Sequence, residues 1–339
     1  MLRIFKRSLN SGKGIWSNFS NRSETLKVQN IKPHAATYHS PLLIDDAFKS
    51  AYEILQQESE KIYQRAQTVE KDDLKDKLLS QAESKNPEVL YNIQNGNDLD
   101  ITQPVYRNHL KKQWENYDLM ILMQRLEQFK VIPDTLPTIQ PTVDVKVKFP
   151  HITNGEFNRW IVPGEFLPSF LTKQPPTIKL QQFDNYKNES KLFSIVLINP
   201  DEPNLETNSF KTTLNFGVSN LSLSLTDDSL DVTKYLKYEN GSEEFSMFKS
   251  YEPILPEVNA GDYQRACLFV FEQPEKINVD QINAEDFDIR SFVNNYNLSP
   301  VGGTMWRQKY DRSVNDVRSE YGLSKGRVFH RVRKPFPLI

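Results

Sequence analysis

Gln264-Arg265-Ala266-Cys267-Leu268-Phe269-Val270-Phe271-Glu272-Gln273 sets six apolar residues in a row between polar ends. The run is too short for a helix of ordinary length, and its Phe and Val favour an extended chain. Residues 266–272 therefore read as a strand that enters through an amide and a guanidinium. Upstream, Leu197-Ile198-Asn199-Pro200-Asp201-Glu202-Pro203 closes a second apolar run, 192–198, on a carboxylate flanked by two prolines. Each proline fixes φ near one value, so Asp201 is expected on a stiff turn at the end of its strand. Asp201 facing Gln264 and Arg265 would make a small polar pocket at the mouth of a β-domain. The same residues would also serve a structural turn with an ordinary surface ion pair, the reading that the residue pattern alone favours.

Working outward, Val143, Val145, Val147 and Phe149 alternate with Asp144, Lys146 and Lys148, the period of a half-buried strand. Residues 177–182 and 214–220 are further strands, separated by prolines and Asn/Asp clusters. The period before this region is helical. Apolar Phe48, Ala51, Leu55, Ile62, Ala66 and Val69 predict one long helix over 42–85, with Asp45 and Asp46 near its start and Asn86-Pro87 as its stop. Its apolar stripe is narrow, so it is expected to pack on one neighbour. Residues 87–103 read as a polar linker. Leu110, Trp114, Tyr117, Ile121, Leu122, Leu126 and Phe129 predict a second helix over 105–130.

No acidic residue precedes Glu24, while Arg3, Lys6, Arg7, Lys13 and Arg22 alternate with serines and an amphipathic apolar set. That is the pattern of a mitochondrial transit peptide over 1–23, with the matrix as destination. Its loss removes five positive charges and takes the formal net charge from −2 to −7. RNA contact would then need local basic segments, because the global field is unfavourable. The tail supplies one. After Glu320 there is no acid, and Lys325, Arg327, Arg331, Arg333 and Lys334 stand among aromatics as candidates for phosphate contact. Lys111 and Lys112, beside Arg107 and Trp114, form a second candidate.

Enzyme signatures are missing from the sequence. Cys267 is the only cysteine, which excludes an internal disulfide and multi-cysteine metal sites, and the five histidines have no ligand spacing. No dinucleotide fingerprint, P-loop, nucleophile elbow or zinc-protease motif occurs, so no cofactor, metal or catalytic residue is expected. No apolar run is long enough to span a bilayer. Mean hydropathy of −0.60 with 38% hydrophobic residues suits one packed domain with polar arms.

The two opening segments together resemble the phosphatidylethanolamine-binding-protein family, whose members carry an Asp-Pro-Asp-x-Pro motif and a later Gly-x-His-Arg motif entering a strand. Leu214-Asn215-Phe216-Gly217-Val218-Ser219-Asn220 resembles the family's His-aromatic strand, and Val301-Gly302-Gly303-Thr304-Met305-Trp306 its Ala-Gly-Thr segment. The resemblance runs over about 143–318. It implies an antiparallel β-sandwich with an anion pocket at Asp201, Asn215, Gln264 and Arg265. Two family histidines are replaced by Asn215 and Gln264, and the first Asp by Asn199. Amides donate hydrogen bonds but supply no imidazolium to a phosphate, so the pocket is expected to be degenerate.

Val105-Tyr106-Arg107, Leu122-Met123-Gln124-Arg125-Leu126-Glu127-Gln128-Phe129 and Val131-Ile132-Pro133-Asp134-Thr135-Leu136-Pro137 resemble the segment preceding the same degenerate domain in a family of mitochondrial large-subunit ribosomal proteins. This implies a structural subunit near the central protuberance, without activity or small-molecule substrate, in contact with large-subunit rRNA and neighbouring proteins. The expected fold class is mostly β with a helical N-terminal extension: transit peptide 1–23, helical extension 24–137, phosphatidylethanolamine-binding-protein-like domain 138–320 and basic tail 321–339. The competing reading is a mitochondrial binding module for a small anion or phospholipid headgroup.

Overall fold

The computed structural model describes residues 40–96, 99–150, 158–183, 191–222, 229–231, 246–279 and 282–330. The expected transit peptide and Arg331, Arg333 and Lys334 lie outside the described residues. The chain divides into two units, 1–111 and 112–339.

In the first unit the single helix expected over 42–85 is two, α1 (Ile44–Thr68) and α2 (Asp72–Glu83). Val69 is extended at φ −92°, ψ 124°. The β-branched pair Thr68-Val69 weakens the helix there, and Asp72 favours a new N-terminus, where a carboxylate meets the positive end of the helix dipole. The two helices fold back on each other: Lys85 Nζ lies 3.1 Å from Glu58, and the Tyr63 hydroxyl donates to Glu83. Asp45 and Asp46 sit in the first turn of α1 without capping it, since the N-cap is Leu43. Ile44, Phe48 and Ile54 on α1 stay exposed, as a narrow stripe implies.

The expected linker contains α3 (Pro87–Asn95). Asn86-Pro87, read as a stop, is also a start: the Asn86 side chain accepts from Glu88 N at 3.0 Å, and proline suits the first helical position. α4 (Pro104–Gln113) follows. Val89, Val105 and Tyr106 form this unit's buried apolar cluster.

The second unit opens on a π-helical turn, Trp114–Asp118, and α5 (Leu119–Gln128). The expected helix over 105–130 is thus α4, this turn and α5 in succession. Lys130, at φ 54°, stops it before the prolines do.

Among the described residues nine strands follow: β1 (Val143–Lys148), β2 (Phe166–Leu167), β3 (Thr177–Gln182), β4 (Leu192–Asn204), β5 (Ser209–Ser222), β6 (Ser229–Asp231), β7 (Ser246–Lys249), β8 (Gln264–Gln273) and β9 (Ser299–Gln308). They form a three-stranded sheet, β1-β3-β6, and a six-stranded sheet, β2-β9-β8-β4-β5-β7. Pairing is antiparallel apart from β2 with β9. Among the described residues two short helices lie in the C-terminal part, α6 (Ile289–Asn295) and α7 (Ser313–Glu320).

The unbroken apolar run in β8 has a direct cause. Successive strand residues point to opposite faces, and here both faces are covered. Ala266, Leu268 and Val270 bury with Val145, Val147, Ile178 and Leu180 of the small sheet, while Cys267, Phe269 and Phe271 bury with Leu122 and Leu126 of α5 and Ile289 and Phe292 of α6. Each large side chain so enclosed contributes roughly 1.5–3 kcal/mol. The two sheets come close at Gly302, where an added Cβ would lie 2.7 Å from Val145 Cγ2. Because α5 is part of this core, residues 112–137 fall with the sandwich rather than with the helical extension. Helix exceeds strand among the described residues, so the whole chain is mixed around its β-sandwich.

Candidate functional site

β4 does not end at Ile198. It runs through Asn199-Pro200-Asp201-Glu202 to Asn204, and its pairing with β5 shifts between Asn199 and Glu202. The expected stiff turn is therefore an irregularity inside a strand, which keeps the proline-flanked carboxylate beside β8. Asp201 receives a bidentate fork from Arg265, Nε to Oδ2 at 2.8 Å and Nη2 to Oδ1 at 2.6 Å, plus the Arg265 backbone N–H at 2.8 Å. Arg265 Nη1 donates to Asp134 Oδ2 at 2.9 Å, Lys130 O at 2.9 Å and Phe129 O at 3.0 Å. Burial works against this charge, but the hydrogen bonds and charge of Asp201, backed by Asp134, hold the Arg265 pKa above the ordinary arginine value. All three guanidinium nitrogens are engaged by the chain itself.

Gln264, one residue earlier, points to the opposite face. Its Oε1 accepts from Asn199 Nδ2 at 3.3 Å and its Nε2 donates to Asp201 O at 3.3 Å. Asn199 Oδ1 accepts from Asp201 N, and its Nδ2 also donates to Glu202 Oε2 at 3.2 Å. Asn215 turns elsewhere, donating to Glu252 O at 3.1 Å and accepting from Thr213 Oγ1 at 3.3 Å. Thr213 alone bridges back, with its hydroxyl 3.5 Å from Asn199 O. The structure thus joins Asp201 to Arg265 and Gln264, but sets Asn215 apart and sends the Arg265 guanidinium toward the chain that follows α5.

Sequence reasoning missed Glu202 and Glu257 in this neighbourhood. Burial raises the Glu202 pKa, and the charge of Glu257 adds to it, against the pull of Lys211, Arg318 and Arg327. The only sequence signal was an extra acid within the proline motif. Asp134 stood in a recognised segment, but nothing local marked it as a partner of Arg265. Cys267 is fully enclosed, and burial pushes its thiol up to about 12, which removes the thiolate needed for reactivity.

Of the basic tail, Lys325 and Arg327 are described and exposed. The chain there is docked rather than loose. Val328 forms a parallel bridge with Val258, Phe329 N donates to Val258 O at 3.0 Å, and Arg327 N donates to Glu257 Oε1 at 3.0 Å. The second basic candidate loses two members. Arg107 is buried and paired with Asp76 at 2.6 Å, and Trp114 is buried against Phe183 at 5.3 Å. Among the described residues no three His, Cys, Asp or Glu side chains are grouped to hold a metal ion, and no helix is long and apolar enough to cross a membrane.

Residues 157–306 match the phosphatidylethanolamine-binding protein family, the family suggested by the motifs around Asp201 and Arg265. Over 327 residues, 91% of this chain and 94% of the other, the sequence is 30% identical to large ribosomal subunit protein mL38 of Schizosaccharomyces pombe. The chain belongs to the mL38 family. The phosphatidylethanolamine-binding protein from Plasmodium vivax superposes with a TM-score of 0.42 at 16% identity, over 56% of this chain and 97% of that one. Carboxypeptidase Y inhibitor, solved in complex with its cognate proteinase, gives 0.43 at 14% identity, over 56% and 94%. In this member of the mL38 family, the Arg265 guanidinium is held by Asp201, Asp134 and two backbone carbonyls.

Proposed function

We propose that this chain is a structural protein of the mitochondrial large ribosomal subunit, working in the matrix, with no catalytic activity or small-molecule substrate of its own. The observation that carries the reading is its relationship to an mL38 protein along nearly the whole of both chains. The geometry supports it from a second side. Arg265, the one cation of the expected pocket, is spent on Asp201, Asp134 and two backbone carbonyls, so the residues that would hold an anion instead hold the fold. No observation favours the competing headgroup-binding module. In this reading the sandwich is a rigid block near the central protuberance. The exposed apolar residues Ile44, Phe48 and Ile54 of α1 meet neighbouring ribosomal proteins, and Lys325, Arg327, Arg331, Arg333 and Lys334 meet large-subunit rRNA through phosphate contacts and counterion release.

Removing the chain from cells of the source organism should abolish incorporation of labelled methionine into mitochondrially encoded proteins. Returning a copy with Asn215→Ala and Gln264→Ala should restore it. Normal mitochondrial translation without the chain would refute the reading, and failure of that copy despite normal accumulation would revive a working pocket.

A further inference from the structure

On β9, Arg307 stands directly opposite Arg265 of β8. Two like charges facing each other on adjacent strands disfavour the pairing unless each is compensated. Arg265 is compensated by Asp201 and Asp134. Arg307 is compensated differently. Its Cζ lies 3.8 Å from the ring centre of Phe166, 4.2 Å from Phe129 and 5.2 Å from Tyr263. Tyr263 meets the other two rings edge to face, at 6.0 and 6.4 Å. The aromatic faces attract the cation but neither cancel its charge nor accept its in-plane N–H bonds.

The orientation is fixed from the backbone. Arg307 Nε donates to Gly164 O at 2.8 Å, Gly164 N donates to Met305 O at 2.8 Å, and Arg307 N donates to Glu165 O at 2.7 Å. Gly164 is required there twice over: its φ is +83°, and an added Cβ would lie 2.6 Å from the Phe129 ring. The nearest acidic side chain of this loop, Glu165, is turned to Arg159 and to Val162 N. Among the described residues, Nη1 and Nη2 of Arg307 have no hydrogen-bond or ion-pair partner. The result is a half-buried guanidinium, clamped by three rings and one carbonyl, with its two-nitrogen edge uncommitted and its charge unmatched.

We infer that Arg307 is a receptor for a backbone phosphate of RNA, with the half-exposed ring of Phe166 beside it as a surface for the adjoining base. A fixed guanidinium edge matches two phosphate oxygens at once, and little rotamer entropy is left to lose on binding. Aromatic stacking beside a phosphate contact is a sequence-tolerant way to hold single-stranded RNA. The choice of RNA as the source of the phosphate rests on the ribosomal reading above. The site draws on no residue of the basic tail, and it adjoins the Asp201–Arg265 network through Phe129, whose carbonyl accepts from Arg265 while its ring lies against Arg307.

The test titrates a fluorescein-labelled, mixed-sequence single-stranded RNA of about 20 nucleotides with the purified full chain, following anisotropy at several salt concentrations. Arg307→Gln should weaken binding about tenfold and flatten the slope of log affinity against log salt by about 0.7, the loss of one phosphate contact on a single strand. Lys85→Gln, which removes an exposed charge far along the sequence, should change affinity less than twofold. Wild-type chain that binds no RNA, or a Gln variant within twofold of wild type at unchanged slope, would overturn the inference. Should the Gln variant lose its fold by circular dichroism, Arg307→Lys decides. It keeps the charge but not the fork, and should bind about threefold more weakly, whereas binding equal to wild type would overturn the site. Failure of the ribosomal reading shows elsewhere, as a chain that stays at the top of a sedimentation gradient while its RNA binding still depends on Arg307.

Discussion

Glu202 carries an acid into the sandwich where its neighbour Glu257 repels it and burial penalises its charge. Its folded pKa is raised, so the native state favours the protonated form. The stability it contributes is present below the unfolded value and lost as pH rises through the folded one. Glu202→Gln keeps an oxygen to accept from Asn199 Nδ2 and removes the charge. We expect its melting temperature at pH 7 to exceed that of wild type by about 2–3 °C, with the gap closing below about pH 4. A gap that persists or widens in acid would contradict the assignment. The sequence marked Asp201 and Arg265 as partners because the pair sits at the two motif ends. It could not mark Glu202, which is buried by the fold and meets Glu257 and Arg327, residues distant in sequence, only when the tail pairs with Val258.

The segment 129–135 shows what the retained arginine does at the scale of an element. Here the backbone leaves α5, and two arginines hold its carbonyls: Arg265 takes Phe129 O and Lys130 O, and Arg290 takes Pro133 O, Asp134 O and Thr135 O. Arg265→Met would strand the Asp201 carboxylate and free the exit of α5, a loss of about 3–5 kcal/mol by analogy with breaking one partner of a buried ion pair. Urea unfolding measures it, and a loss under about 1 kcal/mol would show that the pair is an ordinary surface bridge. The strands with alternating or continuous apolar runs, β1, β3, β4, β5 and β8, were legible because their period and length are local properties. β2, β6 and β7 are short and were missed, since only pairing with a neighbour makes two to four residues a strand. The helix break at Val69 was missed for a related reason. The apolar stripe runs right up to it, and the break is a matter of two helices folding back on each other.

At the scale of the whole molecule, the sandwich is covered on one face by α5 and α6 and tied at one end by the hydrogen bonds among Asn199, Asp201 and Gln264. Such a block suits a scaffold, in which the Asp201–Arg265 pair serves as a fastening point. The family was legible because its motifs are short and close to the structural pair Asp201–Arg265. The Arg307 cluster was not, because Phe129, Phe166, Tyr263 and Arg307 are scattered along the chain and converge only through the β2–β9 and β8–β9 pairings. The most direct test of the central proposal is sedimentation of a tagged copy from detergent-lysed mitochondria through a sucrose gradient containing magnesium. The proposal predicts co-migration with large-subunit rRNA, lost when magnesium is chelated. A chain that remains at the top of the gradient, free of rRNA, would contradict it.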